Sequence, residues 1–350
     1  MRRIAEDDLQ HILDNTTDIW DTVRNKCIFI TGGTGFFGKW LLESFLYINK
    51  KLELNAHISV LTRNPKAFLS QYPFYIDESS VRFIKGDLST FEFPSGTFQY
   101  IIHAATEADA TLNQAQPLLM LHTITEGTKR ILEFASAQPI ESFLFTSSGA
   151  VYGKQPSCIT HIREDESYKV DINNPDSAYA EGKRLAELYC SIYFSHYNLP
   201  VKIARCFAFV GPYLPLDKHF AIGNFILSAL KKQDIIIKGD GSPFRSYLYA
   251  SDLAIWLWTI LIKGENNTPY NVGSDNDICI EDLAKTVNKV CGNSINIDIK
   301  TKRSGTTGVE RYVPSTERCQ KKLGLFETVH LDDAILKTIN FHKKHFHKSI

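Results

Sequence analysis

Tyr179 and Lys183 stand four residues apart in SAYAEGKRLAE (177–187), a spacing that puts both side chains on one face of a helix. A free phenol has a pKa of about 10 and is a poor base at neutral pH. A neighbouring ammonium favours the phenolate and draws that value down, which would make Tyr179 a proton carrier. A second stretch, ESFLFTSSGAVYG (141–153), is apolar through Phe145 and then turns to hydroxyls at Thr146, Ser147 and Ser148. In a parallel sheet, ligands bind beyond the carboxyl ends of the strands, where these serines should emerge. A serine hydroxyl both donates and accepts, so it can hold a substrate oxygen while a tyrosine moves the proton. One serine is expected to be catalytic and the other structural, and we assign catalysis to Ser148. After them, Gly149 and Ala150 carry no group that can transfer a proton.

A YxxxK pair recurs by chance and gains meaning only from its surroundings. ITGGTGFFGKWLL (30–42) supplies them: Gly32, Gly35 and Gly38 fall at the dinucleotide-fingerprint spacing, after an apolar strand and at the start of a helix. Gly32 permits the tight turn, Gly35 lets the backbone approach a pyrophosphate, and Gly38 lets the helix pack on the sheet. Phe36 and Phe37 fall in the first helical turn, whose N-terminus faces the anion. An oxidised nicotinamide held here would favour the Tyr179 phenolate further, and Lys183 could bond its ribose. The next strand ends SVLTRNPK, with no Asp or Glu from Asn55 through Ile76. An acidic residue there would suit the ribose diol of NAD, whereas Arg63, with Lys66 near it, suits a 2′-phosphate. NADP is therefore favoured, with NAD left open. Asp87 and Leu88, in a Gly-Asp-Leu at the third strand end, and Ala104 and Ala105, at the end of YIIHAA, complete the expected cofactor-facing set.

Positioning these residues requires strands that alternate with helices. CIFIT (27–31), HISVLT (57–62), VRFIKGDL (81–88), YIIHAA (100–105), ESFLFTSS (141–148) and VKIARCFAFVG (201–211) are the strand-like runs. Helical patterns follow at 38–48, about 118–136 and about 176–197. The expected fold is α/β, a Rossmann-type doubly wound parallel sheet with a smaller C-terminal α/β substrate-binding lobe. Residues 1–24 read as an N-terminal helical extension, helical from Asp7 to Arg24. Residues 25–207 read as the NAD(P)-binding domain, to which the chain returns around 240–265. Residues 208–239 and 266–350 fall mainly in the lobe.

Balanced charge, with 39 basic and 39 acidic side chains, argues against a nucleic-acid or anionic-lipid surface. Seven cysteines without a CxxC pair read as reduced thiols of a cytoplasmic protein. No signal peptide is expected from residues 1–24, and LAIWLWTILI (253–262) is too short to span a bilayer, so it reads as a buried helix. His103, His161 and His219 form no ligand spacing; no metal is expected, and His103 reads as structural.

Taken together, TGGTGFFG, GDL, HAAT, TSSGAVYG, YAEGK, GDGSPFRSY and YNVGS, in order from about residue 25 to 330, resemble the extended short-chain dehydrogenase/reductases, in the nucleotide-sugar epimerase/dehydratase branch. The resemblance implies a nucleotide-diphosphate sugar as substrate and a homodimer packed through two helices. It makes Tyr179 the acid/base, Lys183 its partner and Ser148 the hydroxyl donor, with Glu107, Ser148 and Arg245 on the substrate. Arg245 would contact the diphosphate; pairing with a local carboxylate such as Asp252 is the competing reading. The implied activity is a 4-epimerase or 4-ketoreductase making sugars for surface polysaccharides. Dehydratases of this branch place Asp-Glu after the serine or threonine, where this chain has Gly149 and Ala150. A 4,6-dehydratase would need Glu107, Asp109, His161 or His219 instead. A further alternative is a non-catalytic dinucleotide-binding regulator or scaffold. RCFAFVGP also puts Ala208 where the branch carries a substrate-touching asparagine.

Overall fold

Six apolar runs become strands β1 (Cys27–Thr31), β2 (His57–Thr62), β3 (Val81–Lys85), β4 (Tyr100–His103), β5 (Ser142–Ser148) and β6 (Val201–Cys206). The structure, a computed structural model, describes residues 3–105, 110–218, 220–301 and 309–346. Pro269–Val272 joins as a seventh strand beside β6, and the order across the sheet is Pro269–Val272, β6, β5, β4, β1, β2, β3. All neighbours run parallel. The strand order reverses between β1 and β4, which opens the crevice where such sheets bind ligands. The sequence reading put residues 266–350 mainly in the lobe. Pro269–Val272 instead belongs to the sheet, and its four residues are too short to announce themselves by periodicity.

The first eight helices are α1 (Glu6–Asp14), α2 (Phe36–Lys51), α3 (Pro65–Gln71), α4 (Ala110–Ala115), α5 (Pro117–Ser136), α6 (Ala178–Tyr197), α7 (Ala221–Lys231) and α8 (Ala250–Lys263). Successive strand residues serve opposite faces. Ile28, Ile30 and Leu144 pack with Trp40 and Phe45 of α2 and Trp256 and Trp258 of α8. Phe29, Phe143 and Phe145 pack with Ile131 and Phe134 of α5 and Cys190 of α6. Both faces are therefore covered, as a parallel sheet requires.

The N-terminal segment is part of this core. It does not form the single helix expected from Asp7 to Arg24; α1 stops at Asp14, and Thr17–Val23 forms a 3₁₀ turn. The Thr16 hydroxyl donates to the Ile12 carbonyl at 2.6 Å and accepts from Trp20 Nε1 at 2.9 Å. This local bonding competes with helix continuation. It also aims Trp20 at Trp258, with ring centroids 5.0 Å apart.

Beyond Val210 the chain builds small sheets. Ile235–Ile237 pairs with Ile297–Ile299, and Phe244–Arg245 lies between Ile278–Cys279 and Arg311–Tyr312. Among the described residues, no helix is long and apolar enough to cross a membrane.

Candidate active site

The glycine turn between β1 and α2 is shaped by close approach. Gly32 has φ +74°, and a Cβ there would lie 2.4 Å from the Ala104 carbonyl oxygen at the end of β4. A Cβ on Gly38 would lie 2.3 Å from the Gly33 Cα. No side chain caps α2: its N-cap is Gly35, so the N–H groups of the first turn, at Phe36 and Phe37, remain directed at the crevice. That cradle fits a dinucleotide pyrophosphate. Ala104 and Ala105 are fixed opposite it, their N–H groups donating to the Thr31 carbonyl and hydroxyl at 3.1 and 3.3 Å. His103 is buried between the hydroxyls of Thr31 and Thr128 at 2.7 and 3.0 Å. Burial, aided by Lys183, lowers its pKa to about 3, so it stays neutral and structural.

Arg63 lies exposed just past β2. Asp87 lies past β3, its carboxylate accepting from the Ser89 N–H and hydroxyl at 3.0 and 2.6 Å, which holds its pKa below the usual range. Leu88 packs against Gly127 of α5.

β5 delivers its two serines to different partners. Ser147 donates to Glu187 Oε1 at 2.5 Å, and Glu187 is clamped by Arg205, with Nη2 to Oε2 at 2.7 Å. Ser148 caps the short 3₁₀ turn Gly149–Tyr152, accepting from the Ala150 N–H at 3.2 Å. The phenols of Tyr179 and Tyr312 lie near it, the Tyr312 hydroxyl beside Gly149.

α6 brings Tyr179 and Lys183 to the same place. Its start is held by Asn113 of α4, which accepts from the Tyr179 N–H at 3.1 Å and donates to the Asp176 carbonyl at 2.7 Å. Lys183 is 2 % exposed and donates to the Thr146 carbonyl at 2.8 Å. Burial lowers its pKa to about 8. Burial pushes Tyr179 up to about 12. The lowering expected from the Lys183 ammonium does not overcome desolvation of the phenolate.

Arg245 lies on the strand that flanks Tyr312, which is its register partner. It pairs with the carboxylate of Glu310. Asp252, the competing partner suggested by the sequence, is fully buried and accepts instead from the Thr328 hydroxyl and from the N–H groups of Thr328 and Val329 at 3.0 and 3.1 Å. Ala208 packs against the core. His161 bonds the Asp275 carbonyl at 2.9 Å. Glu107, Asp109 and His219 lie outside the described residues.

Three contributors were not found by sequence reasoning: Asn113, Phe207 and Tyr312. A Cβ on Gly149 would lie 2.7 Å from both the Phe207 ring and the Tyr312 hydroxyl. The two rings pack together, with centroids 4.8 Å apart. Phe207 stood in the quoted RCFAFVGP. Nothing in VERYVP marks Tyr312, because its relation to Ser148 exists only across the lobe.

The family description "NAD dependent epimerase/dehydratase family" matches residues 28–273. The chain belongs to that family. Its extent covers the sheet, the glycine turn and the Ser148, Tyr179 and Lys183 positions. UDP-glucuronic acid decarboxylase 1 of Xenopus tropicalis is 26% identical over 321 residues, covering 91% of this chain and 72% of that protein. The UDP-glucose 4-epimerase of Thermotoga maritima, solved with UDP-glucose, superposes with TM-score 0.77 at 21% identity, covering 91% and 99% of the two chains. The Bordetella bronchiseptica enzyme WbmF, solved with NAD+ and UDP, gives TM-score 0.74 at 22% identity, covering 94% and 95%. This chain is thus an enzyme of a nucleotide-sugar epimerase, dehydratase and decarboxylase family with a shared Rossmann-type fold.

Proposed function

We propose that this protein transfers hydride at C4 of a nucleotide-diphosphate sugar, as a 4-epimerase or 4-ketoreductase. The observation that carries this reading is the convergence of Ser148, Tyr179 and Lys183 beyond β5, with no carboxylate at positions 149 and 150. A bound nicotinamide supplies the hydride acceptor or donor. In the oxidising direction Tyr179 takes the proton of the C4 hydroxyl while Ser148 holds that oxygen. In the reducing direction Tyr179 returns the proton. Lys183 keeps positive charge behind the site below about pH 8. Arg245 is our choice for the diphosphate, sharing or exchanging Glu310 for it. Dehydration across C5 and C6 needs an acid and a base; Gly149 and Ala150 supply neither, and Phe207 and Tyr312 fill the volume over Gly149.

A second reading, decarboxylation of a nucleotide-linked uronic acid, is favoured by the Xenopus tropicalis relative. A ketone at C4 turns a C6 carboxylate into a β-keto acid, which loses carbon dioxide without a further catalytic carboxylate. Arg63 supports a preference for NADP, although WbmF was solved with NAD+. A homodimer is supported by an exposed apolar stripe on α6, Leu185, Leu188 and Ile192, with Leu118 and Leu119 exposed on α5. Seven free thiols support a reducing, cytoplasmic setting.

Purified protein with NAD or NADP should be offered UDP-, dTDP-, GDP- and CDP-sugars, UDP-glucuronic acid and 4-keto-6-deoxy sugars, with products read by NMR. An inverted or reduced C4 supports the first reading, and a pentose plus carbon dioxide supports the second. A Tyr179→Phe variant that turns over at the wild-type rate would remove the catalytic assignment. Failure of every sugar to react, with no dinucleotide bound, would return the scaffold alternative.

A further inference from the structure

We propose that Glu187 is a positioning residue: clamped by Arg205, it fixes the setting of α6 on the sheet and so holds Lys183 toward the nicotinamide ribose. The inference rests on the C4 hydride-transfer reading and its bound dinucleotide. It starts from spacing. Tyr179, Lys183 and Glu187 follow one another at four-residue intervals on α6, so one face of the helix carries all three. Lys183 and Glu187 both bond the carboxyl end of β5. The ammonium donates to the Thr146 carbonyl at 2.8 Å, and the Glu187 carboxylate accepts from the Ser147 hydroxyl at 2.5 Å. An ammonium carries three protons, so the same group can also serve a ribose hydroxyl.

Much of α6 is held by close apolar packing. A Cβ on Gly182 would lie 3.1 Å from Ile124 of α5, and Ala186 and Cys190 are buried among Ile131, Phe143 and Phe145. Such packing is strong but non-directional, so it leaves the helix room to turn or slide slightly. Directional bonds fix what packing leaves open. Asn113 fixes the start of α6, and Glu187 fixes it about two turns beyond Tyr179.

The anchor is firm because Arg205 is held on its other sides. Ser147 and Arg205 are register partners on β5 and β6, so the Glu187 carboxylate spans the two strands. Arg205 presents Nε to Oε1 at 3.0 Å and Nη2 to Oε2 at 2.7 Å, the forked pairing of guanidinium and carboxylate. Its Nη1 donates to the Glu164 carbonyl at 3.1 Å, and its guanidinium lies 4.7 Å from the centroid of the Tyr152 ring. The Tyr152 hydroxyl donates in turn at 2.6 Å to Oδ1 of the fully buried Asn271, on the strand beside β6. On its outer side the ion pair lines a cavity of about 280 Å³ with Arg184, Leu188 and Ser191. Water can enter there when Glu187 is replaced, so Arg205 keeps solvation and the variants should fold.

The test is a double-mutant cycle on dinucleotide affinity, read by the fluorescence of bound NADPH and NADH. Glu187→Leu removes the anchor and is expected to weaken binding about fivefold, with Glu187→Gln, which keeps an acceptor for Arg205, in between. Ser147→Ala, which leaves the ion pair in place, should bind as the wild type does. In a Lys183→Met background Glu187→Leu should cost no further affinity, because the group through which it acts is gone. If Glu187→Leu does not fold, Glu187→Gln completes the same cycle. Equal losses in both backgrounds overturn the proposal. So does unchanged affinity beside a loss of stability, which would make the pair a structural tie. At saturating dinucleotide, kcat should fall by a similar factor while KM for the sugar stays within about twofold. The binding cycle needs no sugar. Coupling of Glu187 to Lys183 in an enzyme that converts no sugar would therefore uphold the positioning role while defeating the proposed reaction.

Discussion

Ser147 and Ser148 are adjacent and chemically identical, yet their surroundings separate them. Ser147 is tied to the Glu187–Arg205 pair, whose side chains are mostly buried. Ser147→Ala should leave that ion pair intact, cost about 1 kcal/mol of stability, and leave kcat within a few-fold. Ser148→Ala should cost a similar amount as a lost cap but lower kcat about a hundredfold, the scale of a lost oxyanion donor. Denaturant titration and steady-state kinetics on the two variants check the contrast. Arg63 is tested at the same scale: Arg63→Ala should weaken NADP about tenfold or more while leaving NAD nearly unchanged, read by calorimetry. Retained NADP preference in that variant would remove Arg63 from the cofactor assignment.

α6 carries two of the three reactive groups, and its N-terminus is set by a residue from another helix. Its N-cap, Ser177, makes no side-chain capping bond, and Asn113 of α4 does that work across the gap. Asn113→Ala should therefore cost about 1 kcal/mol as a lost cap. It should also lower kcat more than it raises KM, because Tyr179 is displaced from Ser148. At the opposite side of the sheet, Glu43 of α2 anchors the N-terminal segment, accepting from the Ile4 N–H at 2.9 Å and the Tyr213 hydroxyl at 2.5 Å. Burial, opposed by these bonds, raises its pKa to about 7. The folded state then holds a proton that the unfolded chain releases above about 4.5. This contribution is fully present below about pH 4.5 and is lost as pH rises through about 7, a difference of about 3 kcal/mol. Glu43→Gln should remove that slope, measured as the wild-type-minus-variant stability across the window.

At the scale of the whole molecule, the N-terminal segment, α8 and the C-terminal helix Leu331–Phe346 are locked together. Asp8 receives the Tyr249 hydroxyl at 2.9 Å and the Lys337 ammonium at 2.5 Å, joining the two ends of the chain over α8. That side is closed. The opposite layer, α5 and α6, leaves apolar side chains facing outward, with Leu188 54 % and Leu118 81 % exposed. We expect a dimer through this layer, and Leu188→Asp should convert it to monomer in light scattering. An unchanged mass in that variant would place any interface elsewhere.

How much was legible follows the range of each interaction. The glycine turn, the Tyr179–Lys183 spacing and the alternation of strand and helix are local patterns, written in periods of a few residues, so the sequence by itself determined the parallel Rossmann-type sheet and which side chains could meet beyond β5. It also showed, through Gly149 and Ala150, which carboxylates are missing. The strand Pro269–Val272 and the break at Asn15 were hidden because short elements depend on packing and side-chain bonds more than on pattern. Only the tertiary structure decided that Arg245 pairs with Glu310, that Asn113 caps α6, and that Tyr312 packs over Gly149. Each of these joins segments distant in the chain. Hydrogen bonds have no sequence period, and their partners are chosen by where the folded backbone returns.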